Sequence, residues 1–200
     1  MMEIWELSND SQDAFIKRIV DSLKRGKVLA VPTDTVYGLL ADATNAEAIA
    51  RVFQVKQREA GKPLYVFVKD IAMAREFATI EENKEEFLKS VWPGKVTIIF
   101  KSKNKLPREL GTEETIGFRI PSYDIILRIL TELGRPLTGT SANISGEPEA
   151  ADAKAVILQF EGREFQPDIM VDAGKLPPSL PSTVIDWTGK EQKVLRKGAV

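Results

Sequence analysis

The chain has 200 residues, of which 43% are hydrophobic and 28% are charged, and its formal net charge is −1. This length and composition are ordinary for one globular domain, so we expect a single domain over residues 1–200. The sequence contains no cysteine and no histidine, which excludes disulfides, cysteine-ligated metals and catalytic groups built on either residue. The near-neutral charge means that nucleic-acid binding would need a local basic patch.

The sequence predicts no membrane segment, because no apolar run approaches the ~20 residues that span a bilayer. The N-terminus also lacks the basic region and apolar core of a signal peptide. We therefore expect a cytoplasmic protein. The side chains left for chemistry are carboxylates, lysines, arginines and hydroxyls, together with backbone amides.

Helical and strand patterns alternate along the chain. In order, the predicted elements are helix 11–24, strand 28–31, helix 46–55, strand 64–68, helices 70–77 and 82–92, strands 96–100 and 115–120, helices 122–133 and 152–160, and strands 169–171 and 182–186. Capping residues are expected at 8–11, Asn45 and Ser122, and Gly134 is expected just past a helix end. This alternation predicts an α/β sheet.

The first polar cluster, Thr33-Asp34-Thr35, follows the strand predicted at 28–31. In open α/β sheets, ligands bind where the chain leaves the sheet. Two hydroxyls and one carboxylate can hold an amine and a carboxylate in a small space. A turn with local side-chain hydrogen bonds is the alternative, and these residues alone leave both interpretations open.

A second cluster is basic. The segment 51–62 has a local net charge of +3, from four cations and one carboxylate: Arg51, Lys56, Arg58, Lys62 and Glu59. Arginine can bind a phosphate through two hydrogen bonds, whereas lysine acts as a point charge. Alternatively, these cations complement the dipole at the end of the preceding helix.

A third cluster, residues 140–146, combines small hydroxyls, an amide and a glycine in the sequence TSANISG. Such a turn allows a nucleotide to approach the backbone closely, but the same residues also favour ordinary turns.

The fourth cluster lies on the strand at 115–120, where Thr115 and Arg119 share one face. A buried arginine needs a partner, either a ligand carboxylate or a buried acidic side chain. The fifth cluster is Ser182-Thr183, with Arg196 further along the chain.

Seven segments occur in the order seen in one known family: PTDTVYGL, K-x-R followed by KPL, WPGKVT, TIGFRIP, TSANISG, PSTVID and LRKGAV. On these motifs nearly the whole chain resembles the YrdC/Sua5 family. The resemblance implies a twisted, mixed, open α/β sheet with a concave basic face. It also implies a nucleotidyltransferase, an L-threonylcarbamoyladenylate synthase. Such an enzyme joins L-threonine, bicarbonate and ATP to give threonylcarbamoyl-AMP and pyrophosphate, for threonylcarbamoylation of adenosine 37 in tRNA.

The same resemblance implies roles for individual residues. Lys56 and Arg58 would be catalytic, by holding the triphosphate and neutralising its developing charge. The implied ATP-binding residues are Lys56, Arg58, Thr115, Ser141, Asn143 and Arg196, and the implied L-threonine-binding residues are Thr35, Arg119 and Ser182. Mg²⁺ is expected with ATP and no protein metal site is expected. Where the family often has proline after K-x-R, this chain has Glu59.

Two other functions are weighed against the synthase. One is a module that binds double-stranded RNA or tRNA on the concave face. The other is a YciO-like paralogue with a different activity, although K-x-R and S-x-N together favour the synthase. The synthase also implies a separate threonylcarbamoyl transferase as a partner, which completes the tRNA modification.

Overall fold

The computed structural model describes residues 2–7, 12–59, 61–112 and 114–200. Its strands are β1 (Glu3–Glu6), β2 (Leu29–Val31), β3 (Gly38–Leu40), β4 (Val66–Phe67), β5 (Ala78–Thr79), β6 (Val96–Ser102), β7 (Thr115–Arg119), β8 (Leu137–Thr138), β9 (Thr140–Ser141), β10 (Ile169–Asp172), β11 (Thr183–Asp186) and β12 (Lys193–Arg196). Its helices are α1 (Gln12–Lys24), α2 (Ala46–Lys56), α3 (Ile71–Phe77), α4 (Glu85–Val91), α5 (Asp124–Leu133) and α6 (Ala153–Phe160).

Each predicted helix and strand is present, with ends shifted by a few residues. The strands that the sequence did not predict are β1, β3, β5, β8, β9 and β12, all of four residues or fewer. The capping cluster predicted at 8–11 lies outside the described residues. No helix in the described part of the chain is both long and apolar enough to cross a membrane.

One predicted helix cap is confirmed and another is wrong. The Asn45 side chain accepts hydrogen bonds from the backbone N–H groups of Glu47 and Ala48, at 3.0 and 3.1 Å, so it caps α2 as expected. At α5 the cap position is held by Tyr123, without a side-chain cap, and not by Ser122. The backbone N–H of Ser122 instead donates to the Asp34 carboxylate.

The strands divide into two mixed sheets, whereas one sheet was expected from the sequence. The first sheet has the order β1-β10-β2-β3-β9, and the second has the order β12-β11-β6-β7-β4-β8, with β5 paired to β6. Both sheets contain parallel and antiparallel neighbours. The predicted mixed α/β class is therefore confirmed, and the single open sheet is corrected to two.

The two sheets meet between β8 and β9, which are separated by one residue, Gly139. The Thr138 hydroxyl donates to the Leu39 carbonyl and accepts from the Ala41 N–H, which ties β8 to the end of β3. A Cβ atom on Gly139 would lie 2.7 Å from the Phe67 ring. Glycine is therefore required here, because the link between β8 and β9 passes against the aromatic ring of Phe67 on β4.

Strand β2 is buried on both faces, which explains why its sequence is apolar throughout. Leu29 and Val31 belong to an apolar cluster that includes the inner faces of α1 and α5. Ala30 belongs to a second cluster, which includes residues of α2 and α6. The strand thus lies between two layers of helices, and the polar turn after it begins at the end of a rigid element.

Candidate functional site

A cavity of about 210 Å³ lies where the two sheets meet. Its polar lining consists of hydroxyls, arginines and one carboxylate among the described residues: Thr33, Thr35, Thr140, Ser141, Ser182, Arg58, Arg119, Arg196 and Glu149. Aromatic side chains, Tyr65 and Phe67, complete part of the wall. All five polar clusters found in the sequence therefore contribute at least one residue to the same cavity.

The turn after β2 makes local hydrogen bonds and also presents a hydroxyl to the cavity. The Thr33 hydroxyl donates to the Val36 carbonyl at 2.6 Å and accepts from the Thr35 backbone N–H at 3.1 Å. The two threonine hydroxyl oxygens are 3.1 Å apart. Because the single Thr33 proton is already used, Thr35 is the donor in this contact. Thr33 therefore stabilises the turn, and Thr35 keeps an oxygen lone pair for a donor on a ligand.

Arg119 lines the cavity although only 4% of the residue is exposed. Its Nη2 donates to the Asp34 carboxylate at 2.6 Å and its Nε donates to the Gly94 carbonyl at 2.8 Å. The buried arginine thus has an acidic partner within the protein, one of the two options that the sequence left open. Burial lowers the pKa of Arg119, while the nearby Asp34 charge acts in the opposite direction.

The two cations of the K-x-R motif lie in different environments, because the residue between them ends the helix in a left-handed conformation. Gln57 has φ 49°, in the left-handed region, and forms the C-terminal cap of α2. Lys56 ends the helix in the interior, whereas Arg58 lines the cavity. Glu59, the departure from the family pattern, pairs with Lys62 at 2.8 Å on the surface.

Arg58 is held in the cavity wall by its own loop. Its Nε and Nη2 donate to the carbonyls of Lys62 and Pro63, both at 2.9 Å. Partial burial lowers the pKa of the Arg58 guanidinium below its ordinary value. The remaining N–H groups of a guanidinium, which has five, can contact an anionic ligand.

Lys56 lies behind the cavity wall and is 2% exposed. Its ammonium donates to the Ser141 carbonyl at 2.6 Å and to the Asn143 carbonyl and side-chain oxygen, both at 2.9 Å. These contacts use all three ammonium protons. The Asn143 side chain also accepts from the Ser141 hydroxyl at 2.7 Å. Lys56 and Asn143 therefore shape the 141–143 turn, and neither is among the described residues that line the cavity.

Replacing Lys56 with methionine is expected to change how stability depends on pH. Burial, and next the charge of Arg58, lower the pKa of Lys56 to about 7 from its ordinary 10.5. Between those pH values the unfolded chain binds more protons than the folded chain, so the free energy of unfolding rises with pH. Urea unfolding of both proteins across this range should show the rise, on the order of a few kcal/mol, only with Lys56 present. Parallel pH profiles would contradict this assignment.

Ser182 lines the cavity and is contacted from other parts of the chain. Arg196 donates to the Ser182 carbonyl through Nε and Nη2, at 3.1 and 2.8 Å. The buried Thr97 hydroxyl lies 2.9 Å from the Ser182 hydroxyl. The Thr183 hydroxyl accepts from the Gly198 backbone N–H at 3.1 Å. Residues of β6 and β12 thus hold Ser182 directly, and the segment after β12 is tied to its neighbour Thr183.

The structure does not bring Thr115 to the cavity. Thr115 starts β7, opposite Lys101, and its backbone N–H donates to the Thr112 hydroxyl at 2.9 Å. Its predicted role in ATP binding stays a prediction.

Two residues that line the cavity, Tyr65 and Glu149, were not predicted from the sequence. The signal for Glu149 was its position just after the TSANISG turn, whereas Tyr65 looked like an ordinary strand residue.

The geometry of the cavity defines the class of ligand that it can bind. Arginines and hydroxyls around a cavity between two sheets suit a ligand with phosphate or carboxylate groups and hydrogen-bonding hydroxyls. Among the described residues, no group of three or more acidic side chains could hold a metal ion. The cavity is therefore a candidate site for a small anionic molecule.

Comparison with known proteins shows the family. Residues 21–198 match the Sua5/YciO/YrdC family, which carries the description "Telomere recombination", and the chain belongs to that family. It is 34% identical over 180 residues to the threonylcarbamoyl-AMP synthase of Pyrococcus abyssi, covering 89% of this chain and 52% of that protein. The chain thus spans about half the length of this relative.

Two solved structures support the same assignment. The crystal structure of P. abyssi Sua5 complexed with L-threonine aligns with a TM-score of 0.88 at 31% identity, covering 99% of this chain and 57% of that one. The crystal structure of E. coli YciO aligns with a TM-score of 0.87 at 28% identity, covering 99% and 96% of the two chains. The expected YrdC-type fold is confirmed by both.

Proposed function

We propose that this chain is an L-threonylcarbamoyladenylate synthase, a nucleotidyltransferase that supplies threonylcarbamoyl-AMP for tRNA modification. One observation carries the proposal: six of the nine predicted substrate-binding residues, from six separate motifs, line one cavity. The similarity to proteins named threonylcarbamoyl-AMP synthase, and to Sua5 complexed with L-threonine, supports the choice of substrates.

In the proposed reaction no side chain needs to act as a nucleophile. The amine of L-threonine attacks the carbon of bicarbonate, a nitrogen–carbon bond forms and water leaves, which gives a carbamate. A carbamate oxygen then attacks the α-phosphorus of ATP, and the bond to the β-phosphate oxygen breaks with its electrons leaving on pyrophosphate. The protein positions the reactants and stabilises charge, as in phosphoryl transfer generally.

The threonine subsite is assigned to Arg119, Thr35 and Ser182. The Arg119 guanidinium suits the threonine carboxylate, since arginine binds carboxylates through paired hydrogen bonds. The Thr35 hydroxyl keeps a lone pair that can accept from the amine. Ser182 is held by Arg196 and Thr97, so its hydroxyl is oriented before the substrate arrives.

The nucleotide subsite is assigned to Arg58, Ser141 and Arg196, with Lys56 and Asn143 supporting the turn that carries Ser141. Arg58 and Arg196 would neutralise the charge that builds on the phosphates as the leaving group departs. Mg²⁺ is expected to enter with ATP, held chiefly by phosphate oxygens and water. Glu149, in the cavity lining, is a carboxylate that can accept from its water ligands.

A pyrophosphate-release assay tests the proposal. With ATP and Mg²⁺ present, release is expected only when L-threonine and bicarbonate are both added, and L-serine in place of threonine should give much less. Release that does not depend on threonine, or no release under conditions where a related synthase works, would contradict the synthase. ATP binding without release would instead favour a YciO-like activity, in line with the similarity to that protein.

We further propose that the product passes to a separate transferase acting on tRNA, and that this chain itself does not require RNA. The alternative, direct binding of tRNA or double-stranded RNA, predicts an affinity that falls steeply with added salt. Filter binding of tRNA at low and high salt separates the two. Tight binding with that salt dependence would support the RNA-binding alternative.

A further inference from the structure

Asp34 lies in the turn after β2 but is separate from the cavity. Its neighbours Thr33 and Thr35 line the cavity, whereas Asp34 is not among the described lining residues. Only 6% of its side chain is exposed. A carboxylate this deeply buried needs polar partners, because burying an unpaired charge is costly. Its role must therefore be sought in the groups that it contacts within the protein.

Both oxygens of Asp34 are occupied by groups from distant parts of the chain. Oδ1 accepts from Nη2 of Arg119 at 2.6 Å, and Oδ2 accepts from the backbone N–H of Ser122 at 3.1 Å. The carboxylate thus links the turn after β2 to the end of β7 and to the segment just before α5. The Arg119 side chain is itself 5% exposed, so this is a buried ion pair.

The Arg119 guanidinium is held from three directions. Besides Asp34, Nε donates to the Gly94 carbonyl at 2.8 Å and Nη1 approaches the Thr35 hydroxyl at 3.4 Å. A guanidinium has five N–H groups. One on Nη1 and one on Nη2 are left without a partner among the described residues. Since Arg119 lines the cavity, these two can meet a ligand there.

We propose that Asp34 is a positioning residue that sets the plane and rotation of Arg119, so that its two remaining N–H groups receive the carboxylate of an amino acid. The inference rests on the proposed function, in which that amino acid is L-threonine. Asp34 makes no contact with the substrate itself. Paired hydrogen bonds to a carboxylate require a fixed guanidinium plane, so a small rotation of Arg119 weakens substrate binding.

A double-mutant cycle tests this role. Asp34→Asn and Arg119→Lys are expected to raise the KM for L-threonine by about tenfold to 100-fold each, with the KM for ATP little changed. The double variant Asp34→Asn/Arg119→Lys should be barely worse than Arg119→Lys alone, because Asp34 acts only through Arg119. L-Threonine binding by titration calorimetry should follow the same order.

Asp42→Asn is the matched control. Asp42 is also buried, at 1% exposure, and pairs with Arg135 at 2.8 Å, but neither residue is among those lining the cavity. This variant should lose stability without a change in the KM for L-threonine. If Asp34→Asn does not fold, Asp34→Glu keeps the charge but displaces the guanidinium by one methylene, and the same rise in threonine KM is expected.

The outcomes distinguish failure of the proposed function from failure of the role assigned to Asp34. Wild-type protein without threonine-dependent pyrophosphate release overturns the proposed function, and this inference with it. Where the wild type is active, an unchanged threonine KM in Asp34→Asn overturns the inference alone. Independent effects of the two substitutions, multiplying in the double variant, would equally overturn it, because a merely structural Asp34 would act separately from Arg119.

Discussion

Replacing Arg58 with alanine is expected to lower kcat/KM for pyrophosphate release by about 100- to 1,000-fold. Arg58 lines the cavity, and its guanidinium is fixed by the carbonyls of Lys62 and Pro63. A fixed cation next to the triphosphate stabilises charge in the transition state without having to reorganise. Steady-state kinetics of purified protein measures the loss, and far-UV circular dichroism checks that the fold is retained.

Lys62→Ala is the control for Arg58→Ala. It removes one positive charge from the same loop, but Lys62 is exposed, pairs with Glu59 and is not a described lining residue. Exposed ion pairs contribute only about 0–1 kcal/mol to folding stability, so the loop should keep its structure without Lys62. Activity close to wild type is therefore expected. Arg58→Ala with half or more of the wild-type activity would place the phosphate site elsewhere. Equal losses in both variants would mean that charge alone, and not the position of Arg58, matters.

Gly198→Ala is expected to reduce activity by about tenfold to 100-fold although Gly198 lies outside the cavity lining. An added Cβ would overlap the Pro181 carbonyl and lie 2.6 Å from backbone atoms of Ser182 and Thr183. These are backbone atoms, which cannot avoid the overlap by changing a side-chain rotamer. Ser182, and with it the contacting Arg196, must therefore shift. The overlap should also lower the free energy of unfolding by about 1–3 kcal/mol. Kinetics for both substrates, together with urea unfolding, measures the two effects.

Gly189→Ala is the matched control for Gly198→Ala. A Cβ there has no atom within 4 Å, and its backbone angle is one that alanine can adopt. This variant should retain wild-type kinetics and stability. Gly198→Ala that behaves like Gly189→Ala would show that the segment after β12 does not hold Ser182. A loss of stability without any change in KM would lead to the same conclusion.

The local elements of the fold could be predicted from the sequence because their signals are local. The strand at 28–31 ends at a proline that cannot donate in a sheet, and α2 begins at an asparagine that caps it. Strands β8 and β9 could not be predicted, since two-residue strands are defined by their partners and not by propensity. For the same reason the division into two sheets was missed.

The sequence predicted which residues form the candidate site better than it predicted how their side chains are oriented. Arg58 and Arg119 lie in recognisable motifs, and both reach the cavity. Nothing local shows that Gln57 adopts a left-handed conformation, so the inward turn of Lys56 was missed. The partnership of Asp34 with Arg119 joins residues 85 positions apart, and only the fold reveals it.

Direct detection of the product tests whether this chain is a threonylcarbamoyl-AMP synthase. Purified protein would be incubated with ATP, Mg²⁺, L-threonine and ¹³C-labelled bicarbonate. The nucleotides would then be separated, and their masses measured by mass spectrometry. We expect an AMP adduct that contains threonine and one ¹³C atom, formed in equal amount to pyrophosphate. Consumption of ATP without label in any AMP adduct would contradict it, and would assign the cavity to a different reaction.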